Sequence, residues 1–170
     1  MADAVSLLQL VLRWLHFVGG FGWLGSLAFL AAVLSPSLSR LAAPQRVALL
    51  EAVAPRLNQL LIATSIVNVV AGASLALVRS NLETGIFLGS QWGLAILSGA
   101  IIALILLAIT TGIILPLLEH YIPNPDDTAF SRVSEEESAS LEGKLRRWSG
   151  LAAGLGVAVL FFMALAVSPI

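Results

Sequence analysis

The stretch TGIFLGSQWGLAILSGAIIALILLAITTGIILPLL, residues 84 to 118, decides the fold of this 170-residue chain. It runs for 35 residues without a charged side chain. A helix rises ~1.5 Å per residue, so about 20 apolar residues cross the ~30 Å hydrocarbon core of a bilayer. The stretch therefore predicts a transmembrane helix.

Three more charge-free windows flank this one along the chain, at residues 14 to 39, 57 to 78 and 148 to 170. Each is long enough to cross a bilayer, and only 11% of the chain is charged while 58% is hydrophobic. The sequence predicts an all-α integral membrane protein, a four-helix transmembrane bundle forming a single domain over 1–170. We expect its helices at about 7–34, 57–79, 91–118 and 147–168, with Pro36 ending the first, because proline lacks the donor that continues a helix.

The distribution of basic residues predicts an orientation. Connections 35–56 and 119–146, together with Arg147, carry seven of the nine Lys and Arg residues, and the opposite side has only Arg13 and Arg79. Cytoplasmic connections are enriched in Lys and Arg, so we expect both connections in the cytoplasm and both termini outside it, in the plasma membrane. Little of the chain projects into water, which favours a homo-oligomer or assembly with other membrane subunits in the lipid bilayer.

Several kinds of chemistry are excluded by composition. The chain has no cysteine, which removes disulfides, thiolate metal sites and cysteine nucleophiles. A net charge of -1 without a basic run argues against nucleic-acid binding. No carboxylate lies within a predicted span and the single lysine is Lys144, so a proton relay or Schiff-base chemistry has no carrier. We do not expect an enzyme by itself, although a redox subunit is compatible with these residues.

Small residues and one amide would hold the helices together. Helices in lipid associate through close backbone approach and a few hydrogen bonds. Asn68 lies at the centre of the second window and needs a partner, because an unpaired buried amide costs several kcal/mol. We expect it to form a hydrogen bond between helices. The small residues that would thin the helices are Gly19, Gly20, Gly22, Gly25, Ser26, Ala71 to Ser74, Ser98, Gly99, Gly150 and Gly154.

His16 is the clear ionisable residue within a span, and such residues are functional hypotheses by default. Arg13 is one turn outward on the same face, where it would either snorkel to the outer interface or bind an anionic group such as a haem propionate. At a similar depth the second helix presents 71–74, and the fourth presents Met163. A histidine facing small residues with a thioether at its depth describes either a tight polar contact or a pocket for a flat cofactor.

Three functions remain open on these residues. His120, the other histidine, lies roughly 30 Å away at the opposite end, so a bis-histidine haem within one chain is not expected. Haem b at His16, with Met163 as second ligand and Arg13 on a propionate, is preferred to copper because soft ligands are scarce. Copper held by His16 and Met163 is the alternative, and a purely structural subunit without a cofactor is the third.

The run LRWLHFVGGFGWLGSLAF at the start of the first window resembles the CopD-like family of copper-resistance membrane domains. The segments LNQLLIATSIVNVVAGASLAL, QWGLAIL and KLRRWSGLAAGLGVAVLFFMALAVSP are similar, in order, to later helices of that family. The resemblance implies a role in copper uptake or tolerance, with His16 as the matching residue. The chain departs from the family at Ser98, where a lysine is frequent, and lacks a methionine-rich outer segment.

A more distant resemblance is to the HemJ-type protoporphyrinogen oxidases, which are short helical membrane proteins with a histidine in the first helix. Those enzymes depend on an intramembrane lysine, and none stands in this chain's spans. The interpretation that follows is a CopD-like membrane module that holds haem b at His16 for electron transfer within a membrane complex.

Overall fold

Four long apolar helices make up the protein in a computed structural model that describes residues 2–80, 89–121 and 135–167. Helix α1 is Ala2–Phe29 and α2 is Ala43–Ser80; α3 is Gln91–Ile109 and α4 is Glu135–Val167. Each contains a segment long and apolar enough to cross a membrane: Ser6–Leu38, Ala43–Val78, Gln91–Glu119 and Ala139–Ala166. The predicted all-α fold with four candidate membrane spans is confirmed, and the chain is a multi-pass membrane protein.

The helices pack as two hairpins. α1 lies mainly along α2, and α3 mainly along α4, while the contacts between the hairpins concentrate at the end of the bundle near the 39–42 connection. The buried apolar cluster occupies this half and begins at Trp23, with Leu27, Leu30, Leu50 and Leu118 among its fully buried members. In the other half α1 buries little besides the face that touches α2.

Pro36 does not end the first helix, contrary to the sequence expectation. A π-helical turn, Leu30–Leu34, follows α1 and leads into one more α-helical turn, Ser35–Leu38, which contains Pro36. A proline ring clashes with the carbonyl four residues earlier, and the wider π turn directly before it makes room. α3 has the same device, because the π turn Thr110–Ile114 precedes Leu115–Glu119, which contains Pro116.

Two helices extend far into the predicted connections. α2 begins at Ala43 rather than near residue 57, and α4 begins at Glu135 rather than near 147. Pro44 sits in the first turn of α2, where its missing N–H costs nothing, and the Ala42 N–H donates to Gln45 Oε1 at 3.3 Å. Connection 35–56 is therefore almost entirely helical. The acidic segment of 119–146 is described only from residue 135 onward, where it is helical.

The charged side chains mark one limit of the hydrocarbon. Packing contacts set Thr64 of α2 and Thr110 of α3 level with residues 22 to 23 of α1. Counting residues along α2 and α3 from these levels puts Arg56 and Glu119 within about one helical turn of one another in depth. Both are then level with the Leu30–Leu34 turn that follows α1. Arg13 lies about 26–30 Å away along α1, the thickness of a bilayer core. The start of α2 therefore projects beyond the hydrocarbon.

A buried ion pair ties the two hairpins together in this projecting part. Arg46 of α2 donates from Nη1 to Glu142 Oε2 of α4 at 2.5 Å, and from Nη2 to the Leu41 carbonyl at 3.2 Å. Both side chains are largely buried, at 18% and 10% exposure. Around them lie apolar side chains such as Leu145. The projecting ends form a small packed layer outside the bilayer, and the sequence did not predict this packing between them.

Candidate functional site

Two hydrogen bonds between His16 and Asn68 join α1 to α2, and we call this pair of bonds the clasp. The Asn68 Nδ2 amide donates to the backbone oxygen of His16 at 2.8 Å, and His16 Nδ1 lies 3.0 Å from the backbone oxygen of Asn68. The hydrogen bond between helices expected of Asn68 is present, and its partner is the one ionisable residue singled out within a span. Both residues are partly buried.

These distances fix the tautomer of the His16 ring. A carbonyl oxygen only accepts, so the ring nitrogen 3.0 Å from Asn68 O must donate, and Nδ1 carries the proton. The 3.3 Å between Asn68 Nδ2 and His16 Nδ1 is then a close approach of two donors, and the shorter bond to the His16 carbonyl takes the amide proton. In the neutral ring, Nε2 keeps its lone pair.

Glycines make the clasp geometrically feasible. A methyl group added at Gly72 would stand 2.8 Å from His16 Cε1 and Nδ1, so the ring rests against bare backbone. A methyl group at Gly19 would stand 2.7 Å from the backbone nitrogen of Asn68 and 3.0 Å from the Thr64 carbonyl. The contact between Gly72 and His16 lies at the depth where the sequence predicted that 71–74 would face His16. The small residues bring the two backbones together, as packing in lipid requires.

Arg13 and Met163 are not gathered around His16. Arg13 is exposed on α1 and, with Gln9 and Leu10 among its neighbours, lines an open depression on the N-terminal part of the helix. The Met163 methyl packs toward α3, where a Cβ at Gly99 would stand 2.7 Å from it. The thioether thus lies inside the α3–α4 hairpin, whereas His16 lies inside the α1–α2 hairpin.

Among the side chains that the structure describes, those of residues 6–78, 89–121 and 139–166, no three His, Asp or Glu form a cluster that could hold a metal ion. His120 is exposed and directly follows the Leu115–Glu119 turn, at the end of the bundle opposite to His16. A metal at His16 would have one imidazole ligand, and its other ligands would have to come from residues that this structure does not place beside His16, or from a cofactor.

Two polar contacts that join the hairpins were not foreseen from the sequence. Trp23 is 1% exposed, and its indole Nε1 donates to Thr110 Oγ1 at 3.2 Å. The Thr110 hydroxyl donates in turn to the Leu106 carbonyl at 2.8 Å. Trp23 lies deeper in its predicted span than a tryptophan that anchors a helix at the membrane interface, and this depth could have indicated that its indole N–H needs a partner inside the bundle. No comparable signal pointed to Arg46 and Glu142, because both lie in segments expected to be connections.

The geometry thus offers one histidine whose Nδ1 is directed at the Asn68 carbonyl and whose ring is held between two helices near one face of the bilayer. Comparisons of this chain with models of protein families, with curated proteins and with solved structures found no match.

Proposed function

We propose that this protein is a membrane module that binds haem b through His16 and serves electron transfer within a larger membrane complex. The observation that carries the proposal is the bond from His16 Nδ1 to the Asn68 carbonyl. Histidines that ligate metals commonly donate their other ring N–H to a backbone carbonyl, which fixes the ring and directs the lone pair of Nε2 to the metal. Haem would supply a one-electron couple at this position.

The other residues have separate roles in this proposal. Gly72 has no side chain that would displace the His16 ring, and the bond to the Asn68 carbonyl holds the ring in one tautomer. Arg13, one turn outward and exposed, would pair with a propionate. Met163 is the proposed second ligand; because its methyl packs at the Gly99 position inside the other hairpin, the two hairpins would have to rearrange for Met163 and His16 to reach a shared iron.

The proposed setting follows from the charge distribution. With the basic connections in the cytoplasm, both termini and His16 belong to the outer side of the plasma membrane. An electron-transfer site there would exchange electrons with a partner on that face or with another membrane subunit. A homo-oligomer is the other arrangement in which a second ligand becomes available.

A purely structural role is the second candidate, and a specific observation favours it. Each of the two side chains donates to the backbone oxygen of the other residue: the Asn68 amide to His16 O at 2.8 Å, and the His16 ring to Asn68 O at 3.0 Å. Such a clasp is sufficient reason to keep a polar pair in hydrocarbon. On this reading His16 holds α1 against α2 and the protein is a cofactor-free subunit.

The experiment is a visible spectrum of the purified full chain, oxidised and dithionite-reduced, with metal analysis of the same sample after haem-replete expression. We expect a Soret band that is lost in His16→Ala and retained in the control His120→Ala, whose side chain is exposed at the other end. A colourless sample with stoichiometric copper would support the CopD-like copper alternative instead. A sample with neither, together with lower thermal stability of His16→Ala, would refute the haem proposal and support the structural role.

A further inference from the structure

Three exposed cations stand close together where α4 enters the bilayer. Lys144, Arg146 and Arg147 are all exposed, and Arg147 lies within about one turn of the level of Arg56 and Glu119. This is the level at which lipid phosphates meet the protein surface. The cations are therefore placed to meet headgroups rather than bulk water.

The nearest described carboxylate on α4 is not available to neutralise this patch. Glu142 is 8% exposed, points into the bundle and pairs with Arg46 of α2. Within the described side chains, Arg46–Glu142 is the one ion pair, and none of the three exposed cations takes part in it. Among the described side chains, the three cations of the patch therefore have no ion-pair partner.

Directly membrane-ward of Arg147, the same face of α4 has room for a chain. Gly150 and Gly154 follow Arg147 at helical spacings of three and seven, both are exposed, and a methyl group added at either would contact nothing within 4 Å. By contrast, Gly156 on the inward face packs against Leu24 at 3.0 Å. Over about 10 Å from Arg147 into the hydrocarbon, this face of α4 is therefore open at the two glycine positions, and we call this open strip the channel.

From these features we infer that α4 binds an anionic phospholipid, with the phosphate at Lys144 and Arg147 and an acyl chain along Gly150 and Gly154. Charge complementarity selects the occupant, because each Lys or Arg near an anionic leaflet adds to the attraction and a zwitterionic headgroup offers no net charge. A second copy of this chain fits poorly, since a two-fold contact on this face would bring the two Arg147 side chains together.

The test is native mass spectrometry of the purified full chain titrated with phosphatidylglycerol or with phosphatidylcholine of the same acyl chains. The wild type should retain the anionic lipid preferentially. Arg147→Gln should weaken retention about fivefold, and Lys144→Gln with Arg147→Gln about thirtyfold. The control Arg40→Gln removes an exposed cation beyond the Leu38 end of the first helix and should leave retention unchanged.

A second pair of variants tests the channel. Gly154→Leu should weaken retention of the anionic lipid, whereas Gly25→Leu, at an equally open glycine of α1, should not. Equal retention by Arg147→Gln and wild type, equal loss in Arg40→Gln, or unchanged retention in Gly154→Leu would each overturn the inference. A dimer in the spectra that Gly154→Leu abolishes without changing lipid retention would also overturn it, because a second copy would then cover this face.

Discussion

Replacing Gly19 by alanine is expected to force α1 and α2 apart. The added methyl would lie 2.7 Å from the backbone nitrogen of Asn68 and 3.0 Å from its Cα. Neither is the end of a flexible side chain, so no rotamer change relieves the contact. Restoring 3.4 Å, the lower limit of an ordinary contact, requires the helices to separate by about 0.7 Å.

The separation acts directly on the clasp. The bond from Asn68 Nδ2 to the His16 carbonyl would lengthen from 2.8 to about 3.5 Å, and the bond from His16 Nδ1 from 3.0 to about 3.7 Å. Both then fall at or beyond the limit of a hydrogen bond. Overpacking costs about 1–3 kcal/mol and each lost interhelical bond about 0.6 kcal/mol, so Gly19→Ala should lower the unfolding free energy by about 2–4 kcal/mol.

Gly25→Ala is the matched control on the same helix. A methyl group there meets nothing within 4 Å, so the change should be neutral or raise stability by up to about 1 kcal/mol through helix propensity. Steric trapping or reversible unfolding in mixed micelles measures both variants against wild type. If Gly19→Ala proves as stable as Gly25→Ala, the close approach of α1 and α2 at this level is refuted.

Three further substitutions address the other polar contacts. Asn68→Leu should cost about 1 kcal/mol in the same unfolding assay by removing the amide bond to His16, and a cost of zero would mean that the clasp does not contribute. Arg46→Gln leaves Glu142 buried without its cation and should cost about 3 kcal/mol of stability, seen as a lower melting temperature. The double variant Arg46→Met with Glu142→Leu should recover most of the lost stability, and no recovery would contradict the buried pairing. Trp23→Phe removes the indole donor that joins the hairpins and should cost about 1 kcal/mol, whereas an unchanged unfolding free energy would show the bond to be dispensable.

The number and kind of helices follow from the sequence because the bilayer imposes a length on each span. An apolar run such as 91–118 crosses lipid as a helix, because a helix satisfies its own backbone hydrogen bonds. The helix ends were less predictable. Pro36 reads as a stop, since nothing in the local sequence reveals that a π turn will accommodate it. The start of α2 at Ala43 depends on burial of Leu50 against the other helices, a tertiary effect that local patterns do not encode.

The candidate site was predictable in its members but not in its pairing. His16 and Asn68 each stand out as polar groups in apolar windows, and the requirement for a partner applies to both. Their contact depends on the register between α1 and α2, which the glycines at 19 and 72 set. The separation of Met163 from His16 follows from which helix pairs with which, and depth along the membrane normal carries no information on that choice.

The two π turns alter what a change in chain length would do. In Leu30–Leu34 the N–H of Ser35 bonds to the Leu30 carbonyl five residues back, so the turn holds one residue more than an α-helical ladder needs. Deleting one residue there would restore the α-helical ladder and leave the segments on either side nearly in place, because the π turn already accommodates the extra residue. The first and third helices therefore each have one place where the loss of a residue leaves the packing of both flanking parts intact, whereas a deletion elsewhere would rotate the part beyond it by about 100°.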